Sequence, residues 1–469
     1  MNHLAIVRIL SILGIWISGL LLLCGVVALA LGETLYVFSY GLGAALAGPI
    51  GAIILLLTNK PKQKTRPTDG LAVAVLFWLL APLFCAFPFI PFLNGQSFIT
   101  AYYESVSCLT TTGHSVLFTD ETPLPASLLL WRAVLHMLGT VSTITIAASV
   151  LAALNLGGPG IHKSRFFTIP EGSFFDSVPK IIRTTTVISC TIVVVLGSLL
   201  LINGVTPREA LAGAVSAVST GLVDPRSANI APSLGALHAS LLAAGLVCGS
   251  LGLVVLDQLG QRRPLTAASD PETITFAGSI GIITVLAVLA GLPLIPGIGW
   301  SLSSISTSGI ALSDPSRFER LPLAVILFPI LIGGSALSAA GGIKLARLIV
   351  LSKRVVLEFS QLGYRGSVQT FTFRGRRQTE RTIMGVWVYL VGYIMASVVG
   401  ILLLSIMGLS FDDAIRGTIG ALSNAGHVLS GMSADIGTTT QFGMLLAMIL
   451  GRLEIIALIP ALNPRFWSR

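Results

Sequence analysis

The chain has 469 residues, of which 54% are hydrophobic and only 10% charged, and its mean hydropathy is +0.88. Soluble domains carry roughly 25% charged residues, so this composition excludes a water-soluble enzyme or binding module and points to a chain embedded in a bilayer. The net charge of +9 does not indicate nucleic-acid binding, because the basic residues fall in short loops between apolar runs.

Taken in chain order, the apolar runs predict ten spans and four shorter helices. Two spans come first, 5–31 and 39–58. Met1 to Leu31 has little charge and no small-residue cleavage pattern, and reads as a span rather than a leader. Then a unit recurs four times: span, half-helix, polar loop, span. Its copies are 70–93, 97–110 and 126–155; 181–203, 207–219 and 232–257; 273–296, 298–306 and 321–352; and 382–408, 411–423 and 438–462. The organisation is therefore an N-terminal two-span extension, 1–58, and four repeats, 59–160, 161–264, 265–356 and 357–469. The fold class is all-α and polytopic.

Each half-helix runs into a polar step and a glycine. The four are Thr110-Thr111-Thr112-Gly113, Ser219-Thr220-Gly221, Ser306-Thr307-Ser308-Gly309 and Ser423-Asn424-Ala425-Gly426. Thr206-Pro207-Arg208-Glu209 is a capping box and Ser410-Phe411-Asp412-Asp413 a weaker one, so these helices point their negative ends at the loops. An even number of spans per repeat keeps all four loops on one side, as a ring around one pore requires. Backbone carbonyls in such a ring replace the hydration shell of a cation, and glycine reaches the φ values that aim them. The candidate filter residues are Thr111, Thr112, Gly113, Ser219, Thr220, Gly221, Thr307, Ser308, Gly309, Asn424, Ala425 and Gly426.

Lysine and arginine set the orientation. They crowd loops 59–69, 161–183 and 343–381 and the two ends, which places both termini in the cytoplasm and the glycine loops outside. The loop side collects acids instead, Glu33, Glu104, Asp120, Asp224, Asp314, Asp413 and Asp435 among them, and is expected to be a negative vestibule. Arg452, inside the last apolar run, is a functional candidate because an intramembrane arginine is costly. The five cysteines lie in or beside apolar runs without metal-type spacing and read as packing residues. His136, His162 and His238 are isolated and read the same way, and no nucleophile or metal constellation suggests an enzyme.

Three stretches carry a family resemblance: 101–113, ending in the first glycine loop; 333–344, with Gly333-Gly334-Ser335 and Gly341-Gly342-Ile343-Lys344; and Gly451-Arg452-Leu453-Glu454-Ile455. With the four glycine loops they resemble the Trk/Ktr/HKT superfamily of potassium transporters, and the bacterial TrkH type most closely. The resemblance covers nearly the whole chain, including the two extra N-terminal spans. It implies potassium uptake, with Gly113, Gly221, Gly309 and Gly426 as filter glycines; in the family, glycine in all four loops accompanies potassium permeation. It also implies an intramembrane gate made of Gly333, Gly334, Ser335, Ser338, Gly341 and Gly342, with Arg452 facing the pore below the filter. It implies a homodimer in a bacterial inner membrane, a TrkA-like cytosolic nucleotide-binding regulatory subunit docked on the basic cytoplasmic face, and no cofactor beyond the potassium that is carried.

The chain departs from the family in places. His114 and His427 follow their glycines, where a small residue, an apolar residue or proline is usual, and are expected to make a pH-sensitive pore mouth. Leu337, Ala339 and Ala340 stiffen the gate, and Gly139-Thr140-Val141-Ser142 replaces a glycine-richer stretch. Two other readings stay open: a proton- or sodium-coupled secondary transporter using Arg452 and Glu454, and a non-conducting relative with a regulatory role.

Overall fold

The computed structural model describes residues 2–58, 67–118, 124–151, 174–224, 235–318, 321–363, 372–374, 376–377, 380–433 and 436–454. Helices α1 (His3–Ala30) and α2 (Thr34–Leu57) form an antiparallel pair. Lipid supplies no hydrophobic force between helices, so close backbone approach and hydrogen bonds must hold them. The sequence provides small residues for this. Ser18 Oγ donates to the Ala44 carbonyl at 2.9 Å, and a Cβ on Gly51 would stand 2.7 Å from the Ser11 carbonyl. The pair leans on the first repeat through Tyr40, whose ring meets the edge of buried Trp131.

In the first repeat, α3 (Pro67–Cys85) is followed by a 3-10 stretch (Phe87–Phe92), the half-helix α4 (Phe98–Leu109) and α5 (Ala126–Ile146), which runs on as a π turn to Leu151. The second has α6 (Phe174–Ile202), half-helix α7 (Pro207–Ser219), α8 (Ala236–Ser250) and α9 (Leu253–Gly260). The third has α10 (Pro271–Leu289), half-helix α11 (Leu294–Ile305), α12 (Leu323–Ile332) and α13 (Leu345–Gly363). A two-stranded hairpin, β1 (Thr372–Phe373) with β2 (Arg376–Arg377), precedes the fourth: α14 (Glu380–Ile406), half-helix α15 (Phe411–Leu422) and α16 (Thr438–Leu453). Each half-helix packs between the two spans of its own repeat. Ser97, Thr206 and Ser410 cap three of them, accepting from Ile99, Glu209 and Asp413.

Among the described residues, seven helices are long and apolar enough to cross a membrane, and the bent pair α8–α9, counted as one span, makes an eighth. Several expected spans are corrected. The 232–257 run breaks between Ser250 and Leu253, where the chain turns by 113°. The 273–296 run ends as helix at Leu289, and the third half-helix starts at Leu294 rather than 298. The 321–352 run is α12 and α13 separated by irregular backbone. These breaks satisfy one another: Ser335 N–H donates to the Ser250 carbonyl, and Leu253 N–H to the Leu337 carbonyl, both at 3.0 Å. Non-helical backbone at membrane depth persists only with such partners. The last predicted span, 438–462, is described as far as Glu454 and otherwise lies outside the described residues.

Glycine sets how closely the spans approach the half-helices. A Cβ on Gly139 would fall on the Leu109 carbonyl, one on Gly249 on the Ala217 carbonyl, and one on Gly451 on the Leu422 carbonyl. In three repeats, then, a glycine of the second span sits against the last turn of its own half-helix. In the third repeat the span is unwound at that level.

Candidate ion pathway

Hydrogen bonds fix the register of the four loops. Thr112, Gly221, Ser308 and Ala425 each donate their N–H to the carbonyl five residues back, at Ser107, Ser216, Ser303 and Gly420. The preceding residues, Thr111, Thr220, Thr307 and Asn424, are all left-handed, with φ of 53°, 56°, 59° and 50°. Non-glycine residues hold this conformation rarely and at a cost, and four equivalent cases mark a built feature. In this register Gly113, Gly309 and Gly426 are level, and Leu222 stands at their step in the second repeat. Gly221 lies one residue earlier, level with Thr112. Ser219 is level with Thr110, Ser306 and Ser423.

Contacts of the loops with neighbouring loops, or in one case with a neighbouring half-helix, link the four repeats into a ring. Gly113 lies against the Leu222 backbone, and Gly221 against the Thr111 carbonyl. Ser308 Oγ reaches the Ser216 carbonyl at 3.4 Å. Gly309 packs on the His427 side chain, and Gly426 on the Thr112 carbonyl. Asn424 Nδ2 donates to Thr112 Oγ1 at 3.1 Å and to the Met448 carbonyl at 3.0 Å, tying the fourth loop to the first and to its own span.

A buried ion pair braces the first two loops. Glu104 and Arg132 are both fully buried, with Arg132 Nη1 2.8 Å from Glu104 Oε2. Arg132 Nε donates to the Val223 carbonyl at 2.6 Å and Nη2 to the Gly113 carbonyl at 3.0 Å. Glu104 Oε1 accepts from Ser115 Oγ, Val116 N–H and Leu117 N–H. Sequence reasoning missed Arg132; the available signal was a lone arginine inside the 126–155 run.

The expected vestibule acids are largely engaged in the structure itself. Glu104 is buried in this brace, and Glu33 caps α5 through Ala126 N–H and Ser127 N–H. Asp413 accepts from Ser433, Asp224 lies 3.7 Å from Arg208, and Asp314 accepts from Ser316. Asp120 and Asp435 lie outside the described residues. His114 is buried, its Nδ1 2.7 Å from the Tyr103 hydroxyl. His427 is half-buried against Gly309, and its Nδ1 has no hydrogen-bond partner among the described residues. His136 is buried below Gly221, with Nδ1 on the Arg132 carbonyl.

Below the ring, residues 333–344 form a plug. Gly333 and Gly342 take φ of 71° and 78°, which lets the chain turn back on itself, and Ile343 N–H then closes on the Leu331 carbonyl at 3.0 Å. Gly341 N–H donates to Thr307 Oγ1 at 3.0 Å, and a Cβ on Gly341 would strike the Ser423 carbonyl. Arg452 joins plug to ring: Nε donates to the Thr110 carbonyl and Nη1 to the Ala339 carbonyl, both at 2.6 Å, and Nη2 bonds Thr111 Oγ1. Lys344 Nζ donates to the Ser338 carbonyl at 3.1 Å and also bonds the Ala340 carbonyl. Glu454 pairs with Arg347 rather than with Arg452, and the Arg347 guanidinium lies 3.9 Å over the Tyr389 ring. Thr143, Ala336, Gly341, Lys344, Arg452 and Glu454 share a cavity beneath the ring. Of these, Arg452 alone bonds both the first loop and residues 333–344, while Lys344 bonds within the latter.

Four half-helices, each held between two spans and each ending in a loop of the same ring, define a polytopic helical membrane protein of the four-repeat cation-pore class. A family model described as TrkH, cation transport protein, matches residues 43–228 and 280–465, and the chain belongs to that family. It is 25% identical to the Trk system potassium uptake protein TrkH of Salmonella typhimurium over all of both chains. It is 27% identical to the Trk system potassium uptake protein TrkG of Escherichia coli K12 over 89% of each. The crystal structure of the potassium transporter TrkH from Vibrio parahaemolyticus has the same fold, with a TM-score of 0.86, full coverage of both chains and 22% identity.

Proposed function

We propose that this chain takes up potassium across the plasma membrane through the ring of four loops, with residues 333–344 as its gate. The observation that carries the reading is the common backbone step at Thr111, Thr220, Thr307 and Asn424, directly above a plug tied to the ring by Arg452. Such a ring suits passive conduction of a dehydrated cation and needs no covalent chemistry, so the chain is a transporter and not an enzyme. The filter comprises the twelve loop residues named above, with Leu222 added at the step of Gly113, Gly309 and Gly426. His114 and His427 line its outer end. The loops face outward and both termini the cytoplasm, as the basic loops support. The working form is a homodimer with a nucleotide-binding regulatory subunit, which docks on the basic face that includes 343–381.

One observation favours a second reading, a non-conducting regulatory relative: the Gly113 and Val223 carbonyls are bonded to Arg132, and Leu222 stands at a glycine step. Rubidium-86 uptake into liposomes holding the purified protein separates the two. Uptake driven by an internal potassium load, and not by sodium or lithium, is the expected result. No uptake under any load, with the regulatory partner present as well, would refute potassium conduction.

A further inference from the structure

Glu272, in the first turn of α10, is 2% exposed, a placement that an unpaired carboxylate does not tolerate. One of its oxygens faces the gate: Oε2 accepts from Ser335 Oγ and, at 3.0 Å, from Ala336 N–H. The other faces the hairpin: Oε1 lies 3.1 Å from Arg374 Nη2. Arg374 also binds Asp270 through both ends of its fork, at 2.8 and 3.0 Å. Burial works against the charge on Arg374, but Glu272 and Asp270 outweigh it and raise its pKa above the ordinary arginine value. Beside it, Phe373 is 1% exposed and shares an apolar cluster with Ala336 of the gate and with Ala346, Ile349 and Val350 of α13. A short hairpin on the side away from the pore loops therefore grips the gate twice, once by packing and once through a shared carboxylate.

We propose that Glu272 and Arg374 are positioning residues for the gate: the hairpin holds residues 333–344 shut through the chain Arg374–Glu272–Ser335, and a load on the hairpin releases it. The proposal rests on the reading of 333–344 as the gate of a cation pathway. The charge of Arg374 reaches the gate through Glu272, and the packing of its neighbour Phe373 on Ala336 is the second hold. Ser335 is also bonded through its N–H to the Ser250 carbonyl at the break between α8 and α9, so release at Ser335 frees backbone of two repeats together.

The test uses the full-length protein in liposomes and compares wild type with Glu272→Gln, Arg374→Gln and the double variant. Two readouts are taken, hydrogen exchange of the 333–344 amides and rubidium-86 uptake. Loss of charge-assisted bonds to Ser335 and Ala336 is expected to speed exchange and uptake by about tenfold in Glu272→Gln. The rubidium-to-sodium ratio stays unchanged, because the filter is untouched. The double variant does no more than Glu272→Gln alone, and Glu272→Asp stays closer to wild type. A misfolded protein would lose uptake rather than gain it. Unaltered exchange in Glu272→Gln overturns the proposal, as does faster exchange without faster uptake in a wild type that conducts. Additive effects of the two substitutions overturn it as well. Faster exchange where neither wild type nor any variant passes a cation, with the regulatory partner added as well, supports the hold on 333–344 and refutes the potassium reading instead.

Discussion

Replacing Glu104 by glutamine keeps the shape of the side chain and removes its charge. The wild-type carboxylate is fully buried and accepts four bonds, from Arg132 Nη1 and Ser115 Oγ at 2.8 Å, Val116 N–H at 2.6 Å and Leu117 N–H at 3.0 Å. All four partners donate. A glutamine brings one acceptor and an NH2 group, so in either orientation donors face donors, and Arg132 loses its counter-charge. Leaving one member of a buried pair uncompensated costs about 3–5 kcal/mol. At the lower figure, the local opening of the segment after Gly113 becomes about 150-fold more populated. Hydrogen exchange of the Val116 and Leu117 amides should therefore quicken by about a hundredfold, while α1 and α2 keep wild-type rates. The same variant carrying Arg132→Gln should lose less than the two single losses summed, because the pair is removed as a unit. Exchange at Val116 and Leu117 within about threefold of wild type would refute the reasoning, since the segment would then be held by its packing and not by the carboxylate.

Three further outcomes follow from the same geometry. Leu222→Gly puts glycine at the step of Gly113, Gly309 and Gly426, and should raise the rubidium-to-sodium uptake ratio severalfold; an unchanged ratio means the Leu222 carbonyl does not meet the ion. Arg452→Gln removes bonds to the Thr110 and Ala339 carbonyls, so uptake should rise, by about tenfold for one charge-assisted bond lost, and an unchanged rate would place the hold on the plug elsewhere. Gly139→Ala drives a methyl onto the Leu109 carbonyl and should lower the thermal midpoint in detergent at a cost of about 1–3 kcal/mol, whereas Gly41→Ala, with open space around it, should leave the midpoint unchanged.

How much could be read beforehand varies with the range of the forces involved. The first two spans, expected at 5–31 and 39–58, are found at His3–Ala30 and Thr34–Leu57, and the second and fourth half-helices start at the caps read from the sequence, Thr206 and Ser410. Apolar length and capping are written in neighbouring residues. The break at Leu251-Gly252 was not legible. Those residues are as apolar as their surroundings, and the groups that stabilise the break, Ser335 and the Leu337 carbonyl, belong to another repeat. The glycine of the second loop looked equivalent to the other three, and only the hydrogen bond from Gly221 to Ser216 shows that it is one step early.

The sequence by itself determined that the chain is embedded, that its elements come as a pair and then four repeats, and that each repeat carries a polar loop. Partition into lipid and helix capping act over contiguous residues, so a linear reading captures them. Tertiary structure alone decided which loop residues are level and which buried charges meet. Arg132 finds Val223 at a separation of 91 residues, Glu272 finds Ser335 at 63, and Arg452 finds Thr110 at 342. In a medium without water each of these charges must have a partner. The sequence states that requirement, and the fold supplies the groups that meet it.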